Sequence, residues 1–398
     1  MKSHDALQRR ALCIDDLRAW ARKALPKGLF EFVDRGTEDE FLLSRNRRSL
    51  DELRLLPRVM RDVSRRNCST HYFGQASSMP MIIAPTGAAG LLAYEGEYLM
   101  AKAAARAGIP FVLSTASIVS MERVAQAGGD LWFQLYMLPD LGASYRLMDR
   151  ARNAGYRALM VTLDTPVSPN REYNVRNHFT LPMQISSRNA LDVMRRPAWI
   201  WNVFFRYLLR NGVPMLENYP DEYRQRLDAS GKGRMSLPKT DSITWESLRA
   251  LRRHWRGPLI AKGILHPEDA RMARDCGVDA IVVSNHGGRN FDAAATPIEA
   301  LPRIVDEIAD KAEVFVDSGF RRGVDVAKAL ALGARGVLLG RAPLWGVASA
   351  GEPGALHALE LMREELLRSM AFLGCESLAA LDRGLLAPAT LPRNGGWP

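Results

Sequence analysis

Several side chains that can move a proton or hold an anion each close a short apolar run. The segment SNHGGRNFD (284–292) ends one such run with His286 and Arg289, and its glycines let the backbone bend close to a ligand. Histidine titrates near neutrality and can take a proton. Arginine can grip a carboxylate through two parallel hydrogen bonds. Of the 7 histidines, only His286 stands at the end of an apolar run in such a setting. A capped, solvated histidine is the plain alternative, and it leaves the rest of the segment unexplained. Lys262 closes PLIAKG, Asp164 closes ALMVTLD, and Asp317 opens DSGFRRG (317–323). Any strand must end in something polar, so one such ending means little. Lysine, aspartate and histidine gathered on one rim are different, because burying them costs energy unless they pair or work.

Other polar endings are Thr86, Ser114, Gln134 with Tyr136, Thr162, Ser284 and Arg341. DSGFRRG and LGR (339–341) combine glycine turns with Arg321 and Arg341 after the last two runs, where a barrel commonly binds phosphate. The dinucleotide pattern GxGxxG and the nucleotide pattern GxxxxGK[ST] are missing, which favours a mononucleotide cofactor over NAD or ATP.

The elements that must hold these residues are eight runs rich in Val, Ile and Leu. They are MIIAP (81–85), PFVLS (110–114), LWFQLY (131–136), ALMVTLD (158–164), PLIAKG (258–263), DAIVVSNHGG (279–288), EVFVDSG (313–319) and RGVLLGR (335–341). Runs apolar on both faces are the pattern of buried parallel strands. Helical spacing lies between them, as in Ile298, Leu301, Ile304, Val305 and Ile308, or Leu248, Leu251 and Trp255. Leu359, Met362, Leu366, Met370 and Leu373 continue it after the eighth run. Eight alternating units predict an α/β fold, a closed (β/α)8 TIM barrel, with an open doubly wound sheet as runner-up. Consecutive strand ends lie 22–33 residues apart, except for 98 between Asp164 and Lys262. That excess of 65–76 residues predicts a long insertion after the fourth strand, about 175–242, on the active-site face. Residues 1–78 are expected to form an N-terminal helical segment, 79–375 the barrel and 376–398 a tail.

Composition sets the outer bounds. The chain has 398 residues, 47% hydrophobic and 25% charged, which excludes disorder, collagen or coiled coil as a whole-chain description. A net charge of +10 suits an anionic substrate, a phosphate-bearing cofactor, an anionic membrane or nucleic acid. Basic residues are diffuse and no recognition module is present, so nucleic acid is not expected. The four cysteines form no CxxC pair, so no metal site is expected and reduced thiols in the cytoplasm fit best. No signal peptide is read at the N-terminus, and no apolar run is long enough to span a bilayer.

Taken together and in order, IAPTG, FQLY, TLDTP, SNHGGR and DSGFRRG resemble the FMN-dependent α-hydroxy acid dehydrogenase and oxidase family, with its lactate- and mandelate-oxidising branches nearest. The resemblance runs from LPKGLFEFVDRGTEDE (25–40) to about residue 375. It implies an oxidoreductase that uses FMN to convert an (S)-2-hydroxy acid to the 2-oxo acid. By that resemblance His286 is the catalytic base and Asp164 orients it. Arg171 and Arg289 grip the substrate carboxylate, Tyr136 contacts its hydroxyl or carboxylate, and Lys262 sits beside flavin N1. Ala84, Thr86, Ser114, Gln134, Thr162, Lys262, Ser284, Asp317, Gly319, Arg321, Gly340 and Arg341 match flavin, ribityl and phosphate contacts. The resemblance also implies a homo-oligomer, a tetramer.

Two positions depart from the pattern. Phe32 stands where the family usually carries a tyrosine that helps hold the carboxylate. Losing that hydroxyl removes about 0.5–1.5 kcal/mol of binding. Ala116 replaces a tryptophan of the glycolate-oxidising branch and leaves room for a bulkier substrate. In the insertion, RRPAWIWNVFFRYLLR (195–210) puts Trp199, Trp201, Phe204, Phe205 and Tyr207 among arginines. Aromatic and basic residues together suit a membrane interface, with a helix packed on the barrel or on another subunit as the alternative. The membrane-bound members of the family carry a hydrophobic segment in this loop. This predicts a peripheral contact on the inner face of the cell membrane, with electrons passed to a quinone or another acceptor. A dioxygen-using oxidase, and a flavin- or carboxylate-binding barrel without turnover, are the rival readings.

Overall fold

In the computed structural model, residues 7–179, 187–224 and 241–388 are described. A small antiparallel hairpin, β1 (Thr70–Tyr72) and β2 (Gln75–Ser77), precedes the main sheet. The sheet is formed by β3 (Met81–Ile83), β4 (Phe111–Ser114), β5 (Leu131–Tyr136), β6 (Ala158–Thr162), β7 (Leu259–Ile264), β8 (Ala280–Val283), β9 (Glu313–Val316) and β10 (Gly336–Leu339). All eight are parallel, and β10 pairs back onto β3 to close the barrel. The expected (β/α)8 fold is therefore the observed one.

Side chains alternate along a strand, so every second residue faces the barrel interior. Ile82, Val112, Trp132, Ala158, Met160, Ile260, Ala280, Val282, Phe315 and Leu338 form one interior apolar cluster. Moving two residues on from this cluster, the same register reaches Ser114, Gln134, Thr162, Lys262, Ser284 and Asp317. All six are buried. The interior thus changes from apolar to polar at the C-terminal ends of the strands, which places the site there. The other end is closed. Tyr72 is wholly buried against Trp132 and Phe315, with ring centroids 6.2 and 5.3 Å away, and Phe73 packs beside it.

Between strands, sequence-encoded caps start the outer helices. For Pro297–Ile308, Thr296 accepts from the Glu299 amide and Glu299 reaches back to the Thr296 amide, with proline at the first turn. The N-terminal residues fold into helices Ile14–Ala24, Lys27–Asp34 and Phe41–Glu52. They are not helical throughout, because the β1–β2 hairpin ends that stretch and plugs the barrel. Beyond residue 375, Leu381, Leu385 and Leu386 are buried, and Leu386 bridges to Leu55. Residues 389–398 of the expected tail lie outside the described residues.

The expected insertion is present between β6 and β7, although its residues 180–186 and 225–240 lie outside the described ones. Its apolar segment is helical from Pro197 to Arg210, with a π-helical stretch over Ile200–Phe205. One face packs on the barrel. Trp199, Val203 and Tyr207 are buried, Trp199 Nε1 donates to the Leu91 carbonyl at 2.8 Å, and the Tyr207 hydroxyl accepts from the Glu95 amide at 3.0 Å. Trp199 and Tyr207 are therefore anchors rather than surface aromatics, which corrects part of the reading from sequence. The opposite face stays bare, with Trp201 68% and Leu209 84% exposed and Phe204, Phe205 and Leu208 beside them. Beneath the helix lies Glu97, buried, with Oε2 unpartnered and Oε1 accepting from the Ile118 amide. Burial drives its carboxyl up to about 7 against the opposing backbone amides.

Candidate active site

His286 sits in a turn that its sequence makes tight. It adopts φ +57°, followed by Gly287 at +70° and Gly288 at +71°. A left-handed conformation costs a non-glycine residue about 1–2 kcal/mol, so neighbouring groups must hold it. The His286 amide donates to Ser284 Oγ (3.0 Å), the Gly287 amide to Ser318 Oγ (3.1 Å) and the Gly288 amide to Asn285 Oδ1 (3.1 Å). So held, His286 Nδ1 lies 3.0 Å from Asp164 Oδ1. Burial opposes the charge on Asp164, but His286 and then Lys262 outweigh it and keep its carboxyl below the usual range. An ionised acceptor at Nδ1 fixes the proton there and leaves Nε2 as the basic nitrogen. Asn290 Nδ2 donates to the Asp164 carbonyl at 2.8 Å and ties the histidine segment to the end of β6.

Lys262 is 4% exposed. Its ammonium pairs with Asp317 at 2.9 Å and donates to Ser284 Oγ at 2.8 Å. Burial works against that charge, yet Asp317 and Asp164 more than offset it and hold the lysine above its ordinary value. Ser284 Oγ thus joins the lysine to the histidine backbone. Ser318 Oγ donates to Asp317 at 2.8 Å. Across the barrel mouth, Ser114 Oγ donates to Gln134 Oε1 (2.8 Å) and Gln134 Nε2 to Thr162 Oγ1 (2.9 Å). Burial, with Asp164 next, raises the Tyr136 phenol and keeps it a donor.

The arginines are placed differently. Arg171 Nε and Nη2 both donate to the Arg289 carbonyl at 3.2 Å. Burial and then Arg289 push Arg171 down to about 9. Arg289 donates to the Arg35 carbonyl at 2.9 Å and lies 5.4 Å from the centre of the Phe32 ring. Phe32 in turn packs against Phe179 at 5.8 Å. Arg341 spans the carbonyls of Val33, Arg35 and Gly287. Arg321 lies over Trp345 at 4.1 Å, and its guanidinium has no hydrogen-bond partner among the described residues. Burial and neighbouring arginines lower Arg341 to about 9 and Arg321 to about 10. Among the described residues no carboxylate hydrogen-bonds to either guanidinium, and Asp34, which faces both, is taken up by Arg18 at 2.6 and 2.7 Å. Arg341 opens the helix that follows β10. Such a pocket calls for a phosphate.

The rim therefore gathers His286, Asp164, Lys262, Ser284, Asp317, Ser114, Gln134, Thr162 and Tyr136 around one mouth, with Arg171 and Arg289 joined at its edge. Ala84 and Thr86 follow β3, but their side chains bond to nothing among the described residues. At Gly340 an added Cβ would meet open space, whereas at Gly319 it would lie 2.5 Å from the Asn46 carbonyl. The phosphate-turn cations and the neutral Ser114–Gln134–Thr162 row have the chemistry to hold a flavin mononucleotide. Sequence reading missed Asn290, Ser318 and Asn285. All three lay inside segments already singled out, SNHGGRNFD and DSGFRRG, and only their partners reveal their part.

Fold and rim together define a barrel enzyme that binds a phosphate-bearing cofactor and can move a proton beside it. The chain belongs to the FMN-dependent dehydrogenase family, whose model matches residues 21–388. It is 40% identical over 377 residues to an L-lactate dehydrogenase of Caulobacter sp. (strain K31), covering 94% of this chain and 97% of that one. It is 40% identical over 370 residues to the (S)-mandelate dehydrogenase of Pseudomonas putida, covering 93% and 92%. Among solved structures it resembles a monotopic membrane protein, (S)-mandelate dehydrogenase, with TM-score 0.87 and 38% identity over 95% of this chain and 99% of that one.

Proposed function

We propose that this FMN-dependent dehydrogenase oxidises an (S)-2-hydroxy acid, lactate- or mandelate-like, to the 2-oxo acid. The observation that carries the reading is the His286–Asp164 pair at 3.0 Å beside a buried Lys262. FMN, when bound, supplies the two-electron acceptor. His286 Nε2 takes the substrate proton, from the hydroxyl or from the α-carbon, and Asp164 steadies the imidazolium that results. Arg171 and Arg289 hold the carboxylate, and Tyr136 donates a hydrogen bond to the substrate. Lys262 keeps a positive charge fixed in a dry site, where it acts more strongly than in water. Ala116 leaves space for a substituent at the β-carbon.

The test is stopped-flow reduction of the bound flavin by a panel of 2-hydroxy acids. Reduction by (S)- but not (R)-lactate or mandelate is expected. Failure with every acid would favour a barrel that binds without turnover.

The bare face of the 197–210 helix supports a second part of the reading, a peripheral membrane contact with a quinone as acceptor. Trp201, Phe204, Phe205, Leu208 and Leu209 form the exposed apolar face, and Arg195, Arg196, Arg206 and Arg210 flank it. Among the described residues no helix is long and apolar enough to cross a membrane, so the contact would lie in the interface plane. Binding to anionic vesicles at low salt, lost in a Trp201→Ser/Leu209→Ser variant, is the expected result. Reoxidation faster with a soluble quinone than with dioxygen would separate dehydrogenase from oxidase.

A further inference from the structure

We propose that Asn46, on the helix Phe41–Glu52 outside the barrel, is a positioning residue for His286. The two are far apart in sequence and belong to different parts of the fold. Asn46 is 2% exposed and faces Asn285, itself buried. The two amides exchange a pair of hydrogen bonds. Asn46 Nδ2 donates to Asn285 Oδ1 at 3.0 Å, and Asn285 Nδ2 donates to Asn46 Oδ1 at 2.7 Å. This reciprocal pairing fixes the plane of the Asn285 side chain. Asn285 Oδ1 is then aimed at the Gly288 amide, and Asn285 Nδ2 also reaches the Ala295 carbonyl at 3.2 Å.

His286 lies between the two residues so tied. Its turn carries three consecutive left-handed residues, a shape the strand register cannot impose. The Gly288 amide is shared between the Asn285 carbonyl, at 3.1 Å, and Asn285 Oδ1, so the Asn285 side chain reinforces the backbone closure of the turn from one end to the other. The same helix closes around the outside. A Cβ on Gly288 would come within 2.9 Å of the Leu43 amide, and the Thr37 amide donates to the Gly288 carbonyl at 3.1 Å. Asp292 accepts from the Phe41 and Leu42 amides at the start of the helix. The amide pair is thus the side-chain link, among these contacts, that reaches the residue next to His286, and through it the N-terminal helices set the aim of the imidazole at Asp164 and at the substrate. Catalytic geometry is sensitive to such support, because a misplacement of about 1 Å can cost about a hundredfold in rate.

The inference rests on the reading of His286 as the base, and the experiment separates the two. Flavin reduction by (S)-lactate and (S)-mandelate is followed in the FMN-loaded, full-length protein for wild type, Asn46→Ala, Asn46→Asp, Arg45→Ala and His286→Asn. Asn46→Ala should lower the limiting rate about 10- to 100-fold, with half-saturation changed by less than about threefold and FMN content unchanged. Asn46→Asp keeps the acceptor for Asn285 Nδ2 and should recover part of the rate. Arg45, on the same helix as Asn46, pairs at the surface with Glu299 of the helix Pro297–Ile308 at 2.7 Å; Arg45→Ala breaks that pair and should leave the rate as it was. A limiting rate in Asn46→Ala equal to wild type overturns the inference. So does an equal loss in Arg45→Ala, which would mean general loosening of the helix. If Asn46→Ala fails to hold FMN, Asn46→Asp decides, and a rate no different from wild type with the donor bond gone counts against the proposal. Fast reduction by His286→Asn would instead sink the base assignment itself.

Discussion

The lysine side and the arginine side of the barrel mouth handle charge in opposite ways. Lys262 has Asp317 at 2.9 Å, and His286 has Asp164 at 3.0 Å, so each cation-forming group there has its own carboxylate. Among the described residues Arg171 and Arg341 bond only to backbone carbonyls, and Arg321 rests on a ring. A charge balanced within the protein is a permanent fixture that tunes whatever lies beside it. A charge left unbalanced is held at a cost that an arriving anion relieves. The substrate carboxylate and the cofactor phosphate are the two anions the proposed reaction needs. Glu97, under the insertion helix, is the same situation with the opposite sign.

Variants can break this contrast at either side. On the balanced side, His286→Gln should slow flavin reduction by about 10²–10⁴, the range for a lost general base, while FMN stays bound; single-turnover kinetics measure it. Asp317→Asn leaves a buried ammonium without its partner and should cost about 3–5 kcal/mol of stability, read from denaturant unfolding. Little change there would mean that water already balances Lys262.

The unbalanced charges should behave in the reverse sense. Glu97 has a folded-state value near 7 against an ordinary 4.5, so the fold prefers its protonated form. Its contribution is fully present below about pH 4.5 and fades as pH rises through 7. Glu97→Gln should therefore be the more stable protein at pH 8, by on the order of 3 kcal/mol, with the advantage gone at pH 4.5. Unfolding curves at the two pH values decide it. Arg171→Met should raise the substrate concentration for half-reduction about 10- to 100-fold, since a charged hydrogen bond is worth about 1.5–3 kcal/mol. Apoprotein stability should not fall, because a partly buried cation without a bonded carboxylate has been removed; a clear loss would place Arg171 on the balanced side. The smallest effect is expected for Phe32→Tyr, which adds a neutral donor beside Arg289. It should lower half-saturation by at most about tenfold. Loss of activity would show that Phe32 shapes the pocket for another substrate.

Much of this is legible in the amino-acid sequence. The strands announced themselves because both faces of each are buried, so no polar residue interrupts the runs until the mouth is reached. Interior register then explains why the polar endings converge, since Gln134, Thr162 and Lys262 each stand two places beyond an interior apolar residue. Pairings were not legible. Lys262 with Asp317, and Asn46 with Asn285, are separated by long stretches of chain, and nothing local to either residue names its partner. The hairpin over 70–77 escaped because each strand has three residues, too few to show a period. In the insertion the two faces were merged into one. Trp199, Val203 and Tyr207 recur every four residues, and so do Trp201, Phe205 and Leu209, so spacing alone did not say which face would be covered.

The plug formed by Tyr72 and Phe73 turns the barrel into a vessel with a single neck. On the proposed function, hydroxy acid, keto acid and oxidant would all approach from the open end, where His286, Arg171 and Arg289 lie. The two half-reactions would then take turns, with product leaving before the oxidant approaches. Steady-state plots against either reactant at fixed levels of the other should give parallel lines, and a high concentration of one should inhibit use of the other.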